Sequence, residues 1–231
     1  MHHSERNCLL ALAAAAMTAA ALAAAAPTAH AAAEDRPLSP AQSALFDSNH
    51  LKNVPRPETI DYAFRREEPN AAPVEDRIKI EIREIRDDGK KNVWTDFLSA
   101  DRHINFEPAM GFNGNPLLMF VLERDVAEMH RLTGGSTTYF RNRIRDAFAD
   151  HATVSPTTIA VDGHDQPATE IAVQPFRDDP MIERFKEFRE KSYDFILSDA
   201  VPGTFYRIAT RVPKEGGTAR TESVTYEGVE Q

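Results

Sequence analysis

The sequence predicts an α+β fold in which a curved antiparallel β-meander of eight or nine strands, shaped like a half-barrel, is covered by two or three helices. Three observations lead to this prediction. Apolar and polar residues alternate over several short segments, turn-forming residues separate those segments, and one block of helical periodicity interrupts the strands.

The alternation of apolar and polar residues is clearest in residues 60–64, which read IDYAF, and in residues 78–82, which read IKIEI. A period of two is typical of a sheet with one buried and one solvated face. Turn signals follow at residues 87–90 and 162–165. Further strands are predicted around residues 93–98, 104–106, 157–161, 169–173, 193–197, 206–212 and 224–226.

Two consecutive helices are predicted between Asn115 and Phe148, after a loop at residues 107–115. Pro116 suits a first helical position, Gly134 can end the first helix, and Ser136 can cap the second. The two helices therefore form a hairpin that interrupts the strands.

A third helix is predicted from Asp179 and Pro180, with Met181, Phe185 and Phe188 on its apolar side. Strands do not alternate regularly with helices along the chain, which argues against a parallel βαβ sheet. The helices are therefore expected to cover one face or one open end of an antiparallel sheet.

The N-terminal residues 1–33 predict a cleaved secretory signal peptide. An alanine-rich apolar run from Cys8 to Ala26 is followed by Ala29-His30-Ala31, which resembles a cleavage site. A membrane anchor is the alternative, because the run is close to spanning length, but alanine is only weakly hydrophobic. Residues 34–56 are then a leader with a possible short helix, residues 57–231 form a single domain, and the protein is expected in the periplasm or outside the cell.

The composition excludes several kinds of chemistry. Cys8 is the only cysteine, so a chain cleaved after the signal peptide has no thiol, disulfide or cysteine-based metal site. A formal net charge of −9 argues against nucleic-acid binding. The remaining histidines lack metal-ligand spacing, and no phosphate-binding loop or GxSxG motif occurs, so no metal or other cofactor is predicted.

Asp125 is the most unusual residue of the predicted hairpin, because it lies in the middle of the apolar side of the first helix. A buried carboxylate persists when it is paired, hydrogen-bonded or protonated. We expect it to pair with Arg143 or Arg141 of the second helix. Such a pair is either a site that binds or reacts with a ligand, or a structural brace, and the structural interpretation is favoured.

The order of elements over residues 58–229, in an exported chain, resembles the unclosed β-barrels of LolA/LolB-type periplasmic carriers. That resemblance implies a hydrophobic ligand, such as a lipid, held between sheet and helices. Two alternatives stay open. One is an enzyme whose polar site includes Asp125, the nearby arginines and a histidine, and the other is an envelope assembly factor that binds another protein.

Overall fold

A computed structural model describes residues 37–214 and 217–230, so the predicted signal peptide at residues 1–33 lies outside the described residues. The described chain contains ten strands. They are β1 (Glu58–Glu67), β2 (Val74–Ile85), β3 (Lys91–Phe97), β4 (Ile104–Asn105), β5 (Ala109–Phe112), β6 (Thr153–Val161), β7 (His164–Val173), β8 (Ser192–Leu197), β9 (Phe205–Lys214) and β10 (Gly217–Glu230).

All ten strands belong to one antiparallel sheet, whose order is β4-β3-β2-β1-β10-β9-β8-β7-β6, with β5 also paired to β3. The sheet consists of two meanders, β1 to β4 and β6 to β10, which are joined where β1 pairs with β10. Its outer strands do not pair with each other, so the barrel is unclosed. The predicted α+β fold class is confirmed.

The sheet has one strand more than the nine predicted. The additional strand is β5, in a segment predicted to be a loop. Only two of its residues pair in register with β3, around an irregularity between Lys91 and Val93. A pairing this short leaves no alternation in the sequence to detect.

Three α-helices accompany the sheet: α1 (Pro40–Gln42), α2 (Leu117–Thr133) and α3 (Thr137–Asp150). A capping box between Ser39 and Gln42 starts α1, which continues as a π-helical turn over Ser43–Asp47. Gly134 ends α2 with a φ of 70°, and the Ser136 side chain caps α3. None of the helices in the described residues is long and apolar enough to cross a membrane.

The segment predicted as a third helix forms two separate 3₁₀ turns instead, Ile182–Arg184 and Lys186–Phe188. Phe185, between them, has a φ of −148° and a ψ of 42°, which no helix accommodates. Phe185 and Phe188 are both buried, so the segment still covers part of the core.

The main core lies between one face of the sheet and the helices. Alternate residues of the strands enter it, including Ile60, Ile80, Phe195 and Ile208, together with Leu118 of α2. Residues 38–56, predicted as a leader, also contribute to it, and their buried side chains are Ala41, Leu45, Leu51 and Val54.

The helical hairpin of α2 and α3 connects opposite edges of the sheet. The chain enters it from β5, beside β3, and leaves it into the edge strand β6. On this path α2 crosses the middle of the sheet, where its side chains contact β1, β8 and β10. We call this the covered face, and the face that points away from α2 the open face.

Candidate functional site

The site closest to the predicted one lies under α2, against the covered face. Phe64, Phe97, Ile208 and Val224 of the sheet surround a cavity of about 10 Å³, and Val121 lies above it. A single water molecule needs at least about this much space. In this state, α2 is closed on an apolar floor.

Asp125 of α2 is buried, with 7% of its surface exposed. Its Oδ1 atom accepts a hydrogen bond of 2.8 Å from Nζ of Lys191, and its Oδ2 atom accepts one from the hydroxyl of Tyr193. Lys191 is only 1% exposed. Burial and the neighbouring Asp125 carboxylate raise the pKa of Tyr193 well above its usual value, so Tyr193 remains a neutral donor.

The predicted pairing of Asp125 with an arginine of α3 is therefore wrong. Nε of Arg141 instead lies 2.7 Å from Oε1 of the exposed Glu123. The apolar side of α3 faces the core, so Arg143 projects away from Asp125 and pairs with Asp179 at 2.7 Å. The partners of Asp125 come instead from the start of β8, which the sheet places beneath α2.

A second polar cluster fastens α3 to the 3₁₀ segment. Asp179 accepts hydrogen bonds from Nε of Arg143 and from the hydroxyl of Tyr139, the latter at 2.6 Å. Its side chain is fully buried. Burial and the hydrogen bond to Asp179 raise the pKa of Tyr139 to about 12, so this donor also stays neutral.

A network of ion pairs joins α2 to the two central strands. Glu128 of α2 accepts a hydrogen bond of 2.9 Å from Arg66 of β1, and Arg220 of β10 lies 3.5 Å from it. Arg124 of α2 pairs with Glu222 of β10, and Arg66 lies 3.2 Å from the same carboxylate. We call these five residues, together with Asp125 and Lys191, the charged seam.

The pKa values of the seam residues Glu128 and Arg66 reflect two opposing effects, burial and pairing. Burial alone would raise the pKa of Glu128, but the hydrogen bond and charge of Arg66 outweigh it and hold the pKa below its usual value. Burial likewise opposes the charge of Arg66, and its bonds to Glu128 outweigh burial and raise its pKa. Both groups therefore remain ionised at neutral pH.

Sequence reasoning missed most of the seam, although part of the signal was present. Arg66 follows Tyr62 and Phe64 at the same spacing of two, and Arg220 and Glu222 precede Val224 in the same way. The alternation therefore assigns these charged residues to the buried face. Lys191 gives no comparable signal, because it lies immediately before β8.

Each carboxylate of the seam has a cationic partner, and the four cations outnumber the three carboxylates by one. Glu68, outside the seam, is a further partner of Arg66. In residues 37–214 and 217–230, no group of three or more histidine, cysteine or acidic side chains is placed to hold a metal ion. The arrangement attaches α2 to the covered face of the sheet. One part of this interface is the apolar floor around Phe64, and the other part is the charged seam.

No protein-family model matches the chain, and no curated protein matches it significantly. Among solved structures, lipoprotein LppX from Mycobacterium tuberculosis is similar, with 9% sequence identity and a TM-score of 0.30 over 78% of this chain and 90% of that chain. A LolA superfamily protein from Nitrosomonas europaea is also similar, with 10% identity and a TM-score of 0.26 over 82% of this chain and 92% of that chain. At these scores the two likenesses carry no argument about the family or the ligand of this chain.

Proposed function

We propose that the protein is an exported binding or carrier protein for a hydrophobic ligand, such as a lipid, which enters between α2 and the covered face of the sheet. The structure then represents the state in which α2 is closed on the sheet. The observation that carries this proposal is the mismatch under α2, where an apolar floor meets a charged seam.

The mismatch is visible at individual residues. The guanidinium carbon of Arg124 lies 5.0 Å from the ring centre of Phe64. The side chains of Arg124 and Glu222 are each only 15% exposed, so this pair is held between helix and floor. An interface that stays closed would be more stable with apolar contacts. Burying an ion pair costs several kcal/mol of desolvation free energy per ion, which the attraction between the two charges has to offset.

The same mismatch lowers the free energy needed to open the interface. When α2 moves away, water solvates the charged groups again, which recovers much of their desolvation cost. The exposed floor then consists of aromatic and aliphatic side chains. An acyl chain that covers this floor restores the apolar burial, worth about 25 cal/mol per Å².

The two ends of α2 differ in a way that suits opening from one side. Its N-terminal end is anchored, because Asn115 donates hydrogen bonds of 3.0 Å to both the Tyr62 hydroxyl and the carbonyl of Gly203. Leu117 is fully buried beside it. Near the C-terminal end, Leu132 is 41% exposed, and the hydrogen bonds of Thr133 and His130 stay within the hairpin.

Export is part of the proposal, with residues 1–33 acting as a cleaved signal peptide. N-terminal sequencing of the protein recovered from an envelope fraction tests this step. The mature chain is expected to begin after Ala31 or Ala33, and recovery of an intact N-terminus in the cytoplasm would contradict it.

The ligand is tested by native mass spectrometry of the full chain purified from the envelope of expressing cells, followed by lipid extraction. We expect a fraction of the protein to carry one additional mass that extraction identifies as an acyl compound. A ligand-free mass in repeated preparations, together with no binding of a fluorescent fatty acid, would overturn the proposal.

A further inference from the structure

A recess between strands β8, β9 and β10 lies on the open face. It is a groove of about 530 Å³, within the range of small-molecule sites. Ala209 of β9 lies at its centre, with Ser223 of β10 and Asp194 of β8 as its direct neighbours across the strands. The small side chains of Ala209 and Ser223 explain why the surface is recessed here.

Two arginines stand at the ends of this recess. Arg207 and Arg211 are two positions before and after Ala209, so they share its face of the sheet and lie about 7 Å from it along the strand. Neither guanidinium forms an ion pair with any carboxylate among the described residues. This contrasts with Arg65 at the rim, which pairs with Glu67 and Glu75.

Hydroxyl groups complete the lining around Arg211. Ser192 of β8 and Thr221 of β10 are its direct cross-strand neighbours, and both line the groove. A group bound over Ala209 is therefore within reach of two planar cations and of several short hydroxyl side chains. Guanidinium groups bind oxyanions through paired, charge-assisted hydrogen bonds.

We propose that this groove binds a small oxyanion, the phosphate or carboxylate group of a ligand, over Ala209, with Arg207 and Arg211 as its charged partners and Ser223 as a neutral donor. The site is separate from the proposed lipid site, because it lies on the opposite face of the sheet. Failure of either proposal therefore leaves the other intact.

Asp194 makes this binding depend on pH. Burial, and then the hydrogen bond and charge of Glu170, raise the pKa of Asp194 to about 6, although Arg207 opposes the shift. The other charged side chains of the open face that line the groove are Arg65, Glu67 and Arg211. Below its pKa, Asp194 is a neutral acid that no longer repels an anion, and its proton is shared with Glu170.

Calorimetric titration of the full chain with inorganic sulfate tests the site, since the charge of sulfate is constant through this pH range. We expect tighter binding about one pH unit below the pKa of Asp194 than one unit above it. Arg207→Gln and Arg211→Gln should each weaken binding by about tenfold at the lower pH. Asp194→Asn should bind sulfate equally well at both pH values.

Arg83→Gln is the matched control. Arg83 is an exposed arginine of β2 that pairs with Glu81 and lies outside the groove, so its replacement should leave sulfate binding unchanged. All four variants change half-buried or exposed side chains, and their thermal unfolding verifies the fold. The proposal is overturned if sulfate binds as well to Arg207→Gln and Arg211→Gln as to the wild type, or more tightly at the higher pH.

Glycerol phosphate and vesicles of phosphatidylglycerol in phosphatidylcholine distinguish a free anion from a lipid headgroup. Binding of soluble glycerol phosphate alone, lost in Arg207→Gln, assigns the groove to a free ligand. Cosedimentation with the vesicles that is lost in the same variant assigns it to a headgroup. Absence of both would contradict the site.

Discussion

The two faces of the sheet use arginine in different ways. On the covered face, Arg66, Arg124 and Arg220 each lie within 3.5 Å of an acidic side chain that belongs to another element. On the open face, Arg207 and Arg211 flank a groove and form no ion pair within the described residues. Paired arginines hold a helix to the sheet, and unpaired arginines leave their donors free for a ligand.

This difference has a thermodynamic consequence. Charges of the covered face are mostly buried, so removal of one partner leaves the other in a region of low dielectric constant. The arginines of the open groove, Arg207 and Arg211, are exposed and are solvated whether or not they have a partner. Changes on the covered face should therefore alter stability, and changes on the open face should alter ligand binding.

Asp125→Ala should have the largest effect on stability. The change leaves the ammonium group of Lys191 buried without its counter-charge, which costs about 3–5 kcal/mol of unfolding free energy. Glu123→Ala is the control, because Glu123 is the exposed partner of Arg141 and should cost at most about 1 kcal/mol. Urea unfolding measures both. Equal stability of the two variants would contradict the buried pair.

Gly203→Ala should have the next largest effect, since it disturbs the anchor of α2. Gly203 has a φ of 74°, and an added Cβ atom would lie 2.7 Å from Nδ2 of Asn115 and 2.9 Å from Cδ1 of Ile60. Gly163 is a matched control, with a φ of 76° and no atom within 4 Å of the added Cβ. Both variants carry backbone strain, so crowding should make Gly203→Ala less stable by about 1–3 kcal/mol more. Calorimetry measures the stability of both variants, and equal stabilities would show that the packing of Asn115 against Gly203 does not hold α2 in place.

The double variant Arg66→Met, Glu128→Leu should recover much of the stability that Glu128→Leu alone loses, because apolar side chains often replace a buried ion pair without loss. Arg220 lacks its carboxylate partner in both variants, so the comparison isolates Arg66. The single variant Glu128→Leu should be less stable by about 1–3 kcal/mol, since it leaves Arg66 with fewer partners. On the proposed function, the double variant should also take up a fluorescent fatty acid more slowly, because the seam has become apolar. Faster uptake would argue against the seam as the part that opens.

The pH dependence of stability should show the smallest effect, and it arises on the open face. The pKa of Asp194 is raised from 3.8 to about 6 in the folded chain, mainly by burial and by Glu170. A carboxyl with a raised folded pKa contributes stability below its unfolded pKa, and this contribution is lost as the pH rises through the folded pKa. Between pH 3.8 and about 6, the wild type should therefore lose stability relative to Asp194→Asn. Parallel stability curves for the two proteins over this range would show that Asp194 titrates normally.

The sequence predicted the fold class because the alternation of strands such as residues 78–82 reflects burial of one face, which is a local property. It did not predict β5, whose pairing with β3 is short and irregular. The partner of Asp125 was also missed. Lys191 is 66 residues away in sequence, and its position beneath α2 depends on how the sheet is assembled.

The most direct test of the proposed carrier function links α2 to the sheet. Cys8 is the only natural cysteine and lies in the predicted signal peptide, so a pair introduced as Arg124→Cys and Glu222→Cys can be bridged specifically with a short bis-maleimide. The control is the same variant capped with a monofunctional maleimide at both positions. We predict that the bridged protein loses fatty-acid binding while the capped protein keeps it. Equal binding by the two proteins would contradict a ligand site beneath α2.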